Sequence, residues 1–287
     1  MAAVRLLYGS ARSGRARQID DWMCTQWRRA LLIVPTRRYA RVRTEELILG
    51  RGLDGAWGKP VFAFDDFAAH LVQTNGLQAT RIQDVERRFL LERAVARLRE
   101  TGALDAVGDA ANTAGFVSHV LRVIVQLKQA AIEPYAFRQR VTKRSGSTPL
   151  DLAVAEIYDG YQRALLEAGV YDVPGLFWQA DLLCGEGRPR ALESVETVLL
   201  DGFDDFTPSE FRLIESIERH VDLLAIGLNY DPAPDRQDLY EVPARTSKRI
   251  RERFVPELFT FDESPAESHA EFAASHIFWR NRSPLPT

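Results

Sequence analysis

The chain has 287 residues, of which 46% are hydrophobic and 27% charged, with a net charge of -3; this is the balance of a globular protein of one large or two smaller domains and excludes a disordered polymer or a uniformly basic nucleic-acid coat. Its apolar runs are far shorter than a bilayer span and no signal-peptide core precedes Gly9, so the expectation is a cytoplasmic protein with no membrane partner. Cys24 and Cys184 lie far apart without C-x-x-C spacing, which points to neither a disulfide framework nor a zinc site.

In chain order, residues 4–8 read as a buried strand, followed by the loop Gly9-Ser10-Ala11-Arg12-Ser13-Gly14-Arg15-Ala16. Residues 30–34 and 60–64 read as further strands, with helical stretches between them. This alternation predicts a β-loop-α-β-α-β start to a parallel sheet covered by helices. The same region is basic: eleven arginines against four acids in residues 1–51 give +7 and leave -10 for the rest. Such a zone suits phosphate, whether of a nucleotide or of DNA.

From residue 81 to about 183 the pattern predicts helices only. Ile82, Val85, Phe89 and Leu90 begin one; Phe116, Val120, Val123, Ile124 and Leu127 form a second; Leu152, Ala155, Ile157, Tyr158, Tyr161 and Leu165 form a third. Residues 142–149 read as a polar loop. A strand over residues 196–200 then returns the chain to α/β character. Thr207-Pro208-Ser209-Glu210 is a capping box opening a helix whose Phe211, Ile214 and Ile217 face inward, and residues 223–228 make another strand. The expected organisation is an α/β domain of residues 1–80 and 190–260, interrupted by an all-helical insertion over residues 81–189. Residues 261–287 form a tail or the start of a second domain, with a helix over residues 267–279.

Two stretches carry chemistry. A phosphate-binding loop needs glycines that let backbone N-H groups close around phosphates, a Lys for the outer phosphates, and a hydroxyl for Mg²⁺. Gly9 and Gly14 meet the first need, but Arg15 stands for Lys and Ala16 for Ser or Thr. The second stretch is ETVLLDGFDDFTPSE: Asp201 ends a hydrophobic strand, where nucleotide hydrolases place an acid that organises Mg²⁺. Gly202 follows, so Asp201 and Gly202 can also be read as a strand-ending turn.

With LLIVPTRRYARVRTEEL, AFDDFA and DGFDD in this order, the sequence resembles the UvrD-like superfamily 1 helicases, and more closely the helicase-like N-terminal part of AddB/RexB-type subunits of ATP-dependent helicase-nucleases. The resemblance covers nearly the whole chain. It implies a P-loop NTPase-like fold with a degenerate nucleotide site at Gly9, Ser10, Gly14, Arg15 and Asp201, and DNA contacts at Thr36, Arg37, Arg38 and Phe64. AFDDFA matches the family's T-F-H-S-F-A at Phe64, Phe67 and Ala68; DGFDD matches D-E-F-Q-D at Asp201, Phe203 and Asp205. The helicase Glu is Gly202 here, and Gly227-Leu228-Asn229-Tyr230-Asp231 replaces G-D-x-x-Q.

Phosphate charge, metal, water activation and phosphate sensing are each touched by one of these departures. The expected function is therefore an inactivated, DNA-contacting structural module of an AddB-type protein in double-strand-break repair and recombination, with DNA and an AddA-type helicase-nuclease as partners. No catalytic residue and no certain cofactor is expected, ATP with Mg²⁺ being the one candidate. The alternatives are a DNA-stimulated ATPase in which Arg15 serves as the P-loop cation and Asp204 or Asp205 as the missing acid, and a protein-interaction scaffold without DNA binding.

In a degenerate site Arg12 and Arg15 would hold phosphate or pair with Asp201 or Asp204, and pairing is preferred because facing charges need neutralising. Asp65 and Asp66 read as helix N-terminal acids, and Phe203 and Phe206 as core or interface aromatics. The family's PD-(D/E)XK nuclease and iron-sulphur region has no counterpart motif here.

Overall fold

A computed structural model describes residues 2–9, 13–50, 59–78, 80–231 and 240–261. The chain divides into two compact units: Met1–Phe67, Ala191–Phe206 and Ile217–Thr287 form one, Ala68–Arg190 and Thr207–Ser216 the other.

The first unit opens with β1 (Ala3–Gly9), α1 (Arg15–Thr25), β2 (Ala30–Val34), α2 (Arg37–Glu45) and β3 (Val61–Ala63), after which α3 (Phe64–Thr74) carries the chain into the second. The second unit holds β4 (Thr80–Arg81), α4 (Asp84–Glu100), α5 (Ala114–Gln129), α6 (Pro134–Lys143), α7 (Pro149–Ala168), β5 (Val170–Tyr171) and α8 (Val173–Glu186). The chain then runs through β6 (Thr197–Phe203), α9 (Pro208–Glu218), β7 (Leu223–Asn229), α10 (Glu241–Phe254) and β8 (Glu257–Thr260).

Six strands form a wholly parallel sheet in the order β3-β2-β6-β7-β1-β8. β1, β6 and β7 read as near-continuous apolar runs because they are buried on both faces. Leu7, Leu32, Val34, Leu199 and Ala225 meet Ile19 and Met23 of α1 and Ala40 of α2 on one face. Tyr8, pointing the other way, shares a 2.7 Å hydrogen bond with Ser247 of α10. Helices α1 and α10 fall on opposite faces because β1→β2 and β7→β8 cross the sheet in opposite directions with right-handed connections. Parallel pairing brings Gly9, Asp201 and Asn229 to one edge, the carboxyl end where open α/β sheets bind ligands.

The helical unit has its own core, centred on Leu91, Val95, Val120, Ile124, Ile157, Tyr158 and Tyr161. Two expectations change here. β4 and β5 form a short parallel pair, Thr80↔Val170 and Arg81↔Tyr171, where helices alone were expected. In α4 the inward face is Leu91, Ala94 and Val95, while Val85 and Phe89 point to solvent at 80% and 57% exposure.

A buried polar network sits in this unit. Lys128 Nζ donates to Asp172 Oδ1 at 2.6 Å and Gln162 Oε1 at 3.0 Å, and Tyr161 Oη donates to Asp172 Oδ2 at 3.1 Å. Asp172 also caps α8 by accepting from Gly175 N at 2.9 Å. Burial pulls the Lys128 ammonium below its ordinary range, an effect Asp172 opposes.

The Thr207 capping box forms, with Glu210 Oε2 accepting from Thr207 N at 2.8 Å and Thr207 Oγ1 accepting from Glu210 N at 3.3 Å. Neither α10 nor β8 has a counterpart among the expected elements. The expected helix over residues 267–279 lies outside the described residues.

Candidate nucleotide site at the strand tips

Gly9 closes β1, and a Cβ there would stand 2.0 Å from Ser13 Oγ and 3.2 Å from Phe261 Cβ, so only glycine fits. Gly14 has φ +81 and caps α1, a left-handed conformation that glycine adopts without strain. Ser10 and Arg12 lie outside the described residues. The two glycines thus stand at the end of β1 and at the start of α1.

Arg15, the first residue of α1, points into the protein. Its side chain is 3% exposed and that of Asp201 is 0% exposed, with Arg15 Nε 3.1 Å from Asp201 Oδ1. That contact lacks hydrogen-bond alignment and is therefore Coulombic. The fork's other nitrogens make directed bonds: Nη1 donates to Gly9 O and Nη2 to Asn229 Oδ1, both at 2.7 Å. Asn229 Nδ2 in turn donates to Asp204 Oδ1 at 3.3 Å. One guanidinium therefore joins the tips of β1, β6 and β7.

Gly227 makes room for this pair, and Gly202 for the tyrosine ring beside it. A Cβ on Gly227 would lie 2.8 Å from Asp201 Oδ1 and 3.3 Å from Arg15 Cδ. Gly202, at φ +83, forms a bulge between Asp201 and Phe203, and a Cβ there would meet Tyr39 Cε1 at 2.7 Å. The position where a helicase carries its water-activating Glu is thus roofed by a tyrosine ring. Tyr39 Oη reaches Asp201 Oδ2 at 3.5 Å, and burial together with the Asp201 charge raises its pKa above the ordinary range.

A second buried pair lies beside the first. Arg43 bonds Asp20, and its Nη1 donates to Glu46 Oε2 at 2.9 Å. Burial alone would lower the Arg43 pKa, but Asp20 and Asp201 outweigh it and hold the guanidinium charged.

These residues do not fit Mg²⁺-ATP. A metal would need a hydroxyl at position 16, which is Ala, and a free carboxylate, while Asp201 is fully buried against Arg15. The other acids of DGFDD are engaged too: Asp205 Oδ1 accepts from Thr246 Oγ1 of α10 at 2.8 Å, and Asp204 holds Asn229. Among the described residues no group of three His, Cys, Asp or Glu could hold a metal ion. Cys184 is buried, and burial and Asp181 push its thiol up to about 12, the environment of an inert core residue.

The residues expected at DNA divide. Thr36 caps α2, its hydroxyl accepting from Tyr39 N at 3.2 Å. Arg37 grips Asp66, with Nε 2.9 Å and 3.1 Å from the two carboxylate oxygens, and Lys59 Nζ lies 3.5 Å from the same carboxylate. Asp66 is therefore an ion-pair partner as well as a first-turn acid of α3. Arg38 stands exposed at the start of α2. Phe64 is 2% exposed, with its ring 5.8 Å from that of Phe203 and 6.4 Å from that of Phe206, so it is a core contact and not a DNA-facing one.

A family model described as ADDB, N-terminal, matches residues 6–278. Among curated proteins the chain is 28% identical over 267 residues to an ATP-dependent helicase/deoxyribonuclease subunit from Desulforudis audaxviator, covering 87% of this chain and 22% of that protein. The protein of the same name from Geobacillus kaustophilus is 24% identical over 313 residues, covering 96% and 25%. That from Bacillus subtilis is 22% identical over 271 residues, covering 86% and 22%. The chain spans about a quarter of the length of these relatives.

Proposed function

Because the chain belongs to the family of AddB N-terminal regions, we propose that it is a non-motor, helicase-derived module of an AddB-type protein. It contacts DNA and packs against an AddA-type helicase-nuclease partner in double-strand-break repair and recombination. The carrying observation is the buried Arg15–Asp201 pair. It puts the cation of the phosphate loop onto the acid that would organise the metal, so the charge needed for phosphates is already neutralised inside the protein. The relatives are named for an ATP-dependent activity; in this reading the ATP is turned over by the partner. The helical unit corresponds to the insertion subdomain of a superfamily 1 helicase. DNA contact rests on Arg38 and Arg41, both exposed on α2, supported by the arginine excess of residues 1–51.

Titration with a fluorescent ATP analogue, with and without Mg²⁺, alongside phosphate release in the presence of single-stranded DNA, tests the proposal. No binding and no turnover are expected. DNA-stimulated turnover lost in Arg15→Ala would replace this reading with that of an active ATPase. Failure to bind single-stranded or duplex DNA at any salt concentration would leave a protein-interaction scaffold.

A further inference from the structure

We propose that the outer edge of β8, with the cavity between β8 and α10, docks an extended acidic segment of a partner protein as an added parallel or antiparallel strand. β8 ends the sheet, pairing with β1 alone among the described residues. Phe261 N donates to Tyr8 O at 2.9 Å, which fixes the direction of the ladder. Successive residues of a strand direct their main-chain groups to opposite sides, so Glu257, Phe259 and Phe261 face β1 while Leu258 and Thr260 present N-H and C=O outward.

Open edges are usually blunted by Lys, Pro or an outward charge, because they template pairing with other chains. Pro256 ends the open edge on one side, but β8 itself contains neither Lys nor Pro, and the carboxylate of Glu257 is tied to Arg5 Nε at 3.2 Å.

The chemistry beside this edge selects an occupant. A cavity of about 650 Å³ is lined by Lys248, Arg251 and Glu252 of α10 together with Tyr230, Val255, Pro256 and Leu258. Val255 is 85% and Leu258 45% exposed, leaving apolar surface at its rim. Lys248 lies 3.9 Å from Glu252, whereas Arg251 has no acidic partner among the described residues. Beside the Lys248–Glu252 pair, the cavity therefore offers apolar walls and the exposed cation of Arg251 next to main-chain groups that have no partner among the described residues. An extended peptide that alternates apolar and acidic side chains satisfies all three: its backbone pairs with β8, its apolar side chains fill the cavity and a carboxylate meets Arg251.

The test is fluorescence anisotropy of the full chain with a labelled peptide of alternating Val and Glu, and one of alternating Val and Lys as the control. The acidic peptide binds and the basic one does not. Arg251→Glu weakens binding by about tenfold or more. Thr260→Pro, which removes one outward N-H and no bond to β1, abolishes binding while its unfolding midpoint matches the parent. Absence of binding, equal binding of both peptides, or full binding by Thr260→Pro overturns the proposal. Sedimentation showing a dimer that Thr260→Pro dissociates overturns it in favour of β8 pairing with a second copy of this chain.

Discussion

A guanidinium fork can reach acceptors on three strand tips at once, and Arg15 does so from the first turn of α1. Removing it strands Asp201 as a buried, unpaired carboxylate. Arg15→Ala is therefore expected to cost about 3–5 kcal/mol in urea unfolding, and Arg15→Lys, which keeps the charge but loses the fork, about 1–3 kcal/mol. Gly202→Glu restores the residue type of a working helicase at a left-handed φ beneath the Tyr39 ring. Its expected result is a loss of about 1–3 kcal/mol or more and no phosphate release. The glycine frame and Asp201 are legible in the sequence because each is local: a turn and a strand end. Asn229 is legible only as part of the segment that replaces G-D-x-x-Q, and Tyr39 is not legible as part of the site, because it stands 162 residues from Asp201 and no spacing rule joins them.

Elements are fastened by a few charged contacts of very different burial. Lys128 and Asp172 join α5, α7 and α8 from fully buried positions. Lys128→Met is expected to cost about 3–5 kcal/mol, whereas Lys128→Met with Asp172→Asn, which keeps the α8 cap and removes the orphan charge, recovers much of that loss in the same thermal or urea measurement.

The Arg37–Asp66 tether between α2 and the start of α3 is more exposed. Burial raises the Asp66 pKa, but the hydrogen bond and charge of Arg37, with Lys59, bring it below the ordinary 3.8. A carboxylate with a lowered folded pKa contributes stability in full above its unfolded value and loses it as pH falls through the folded one. Acid titration of stability should therefore be shallower below about pH 4 in Arg37→Met than in the parent.

At this scale the strands β1, β2, β6 and β7 are readable from apolar runs, and α9 from its capping box. α4 misleads because Val85 and Phe89 have helical spacing yet face solvent. α10 escapes notice because its buried face includes Pro243, Thr246 and Ser247, which leave little apolar periodicity.

The whole chain is slightly acidic, so the proposed binding to DNA rests on where its arginines stand and not on net charge. Arg38→Ala and Arg41→Ala should each weaken DNA binding uniformly across sequences and lower the slope of log K against log salt by about one, with no dependence on ATP or Mg²⁺. Among the described residues no helix is long and apolar enough to cross a membrane. The parallel sheet and the run of helices are foreseeable from alternating periodicities, whereas the β8 edge emerges only when β1 and β8, about 250 residues apart, are seen side by side.

The roof that Tyr39 places over Gly202 also bears on any attempt to install hydrolysis in this protein. A hydrolytic residue set would need Lys at 15, a hydroxyl at 16 and Glu at 202, and none of the three fits alone: the first loosens the Asp201 pairing, the second adds a ligand to a site without a free carboxylate, and the third collides with an aromatic ring. An engineered ATPase would therefore have to be rebuilt at all three positions and at Tyr39 together, not one residue at a time.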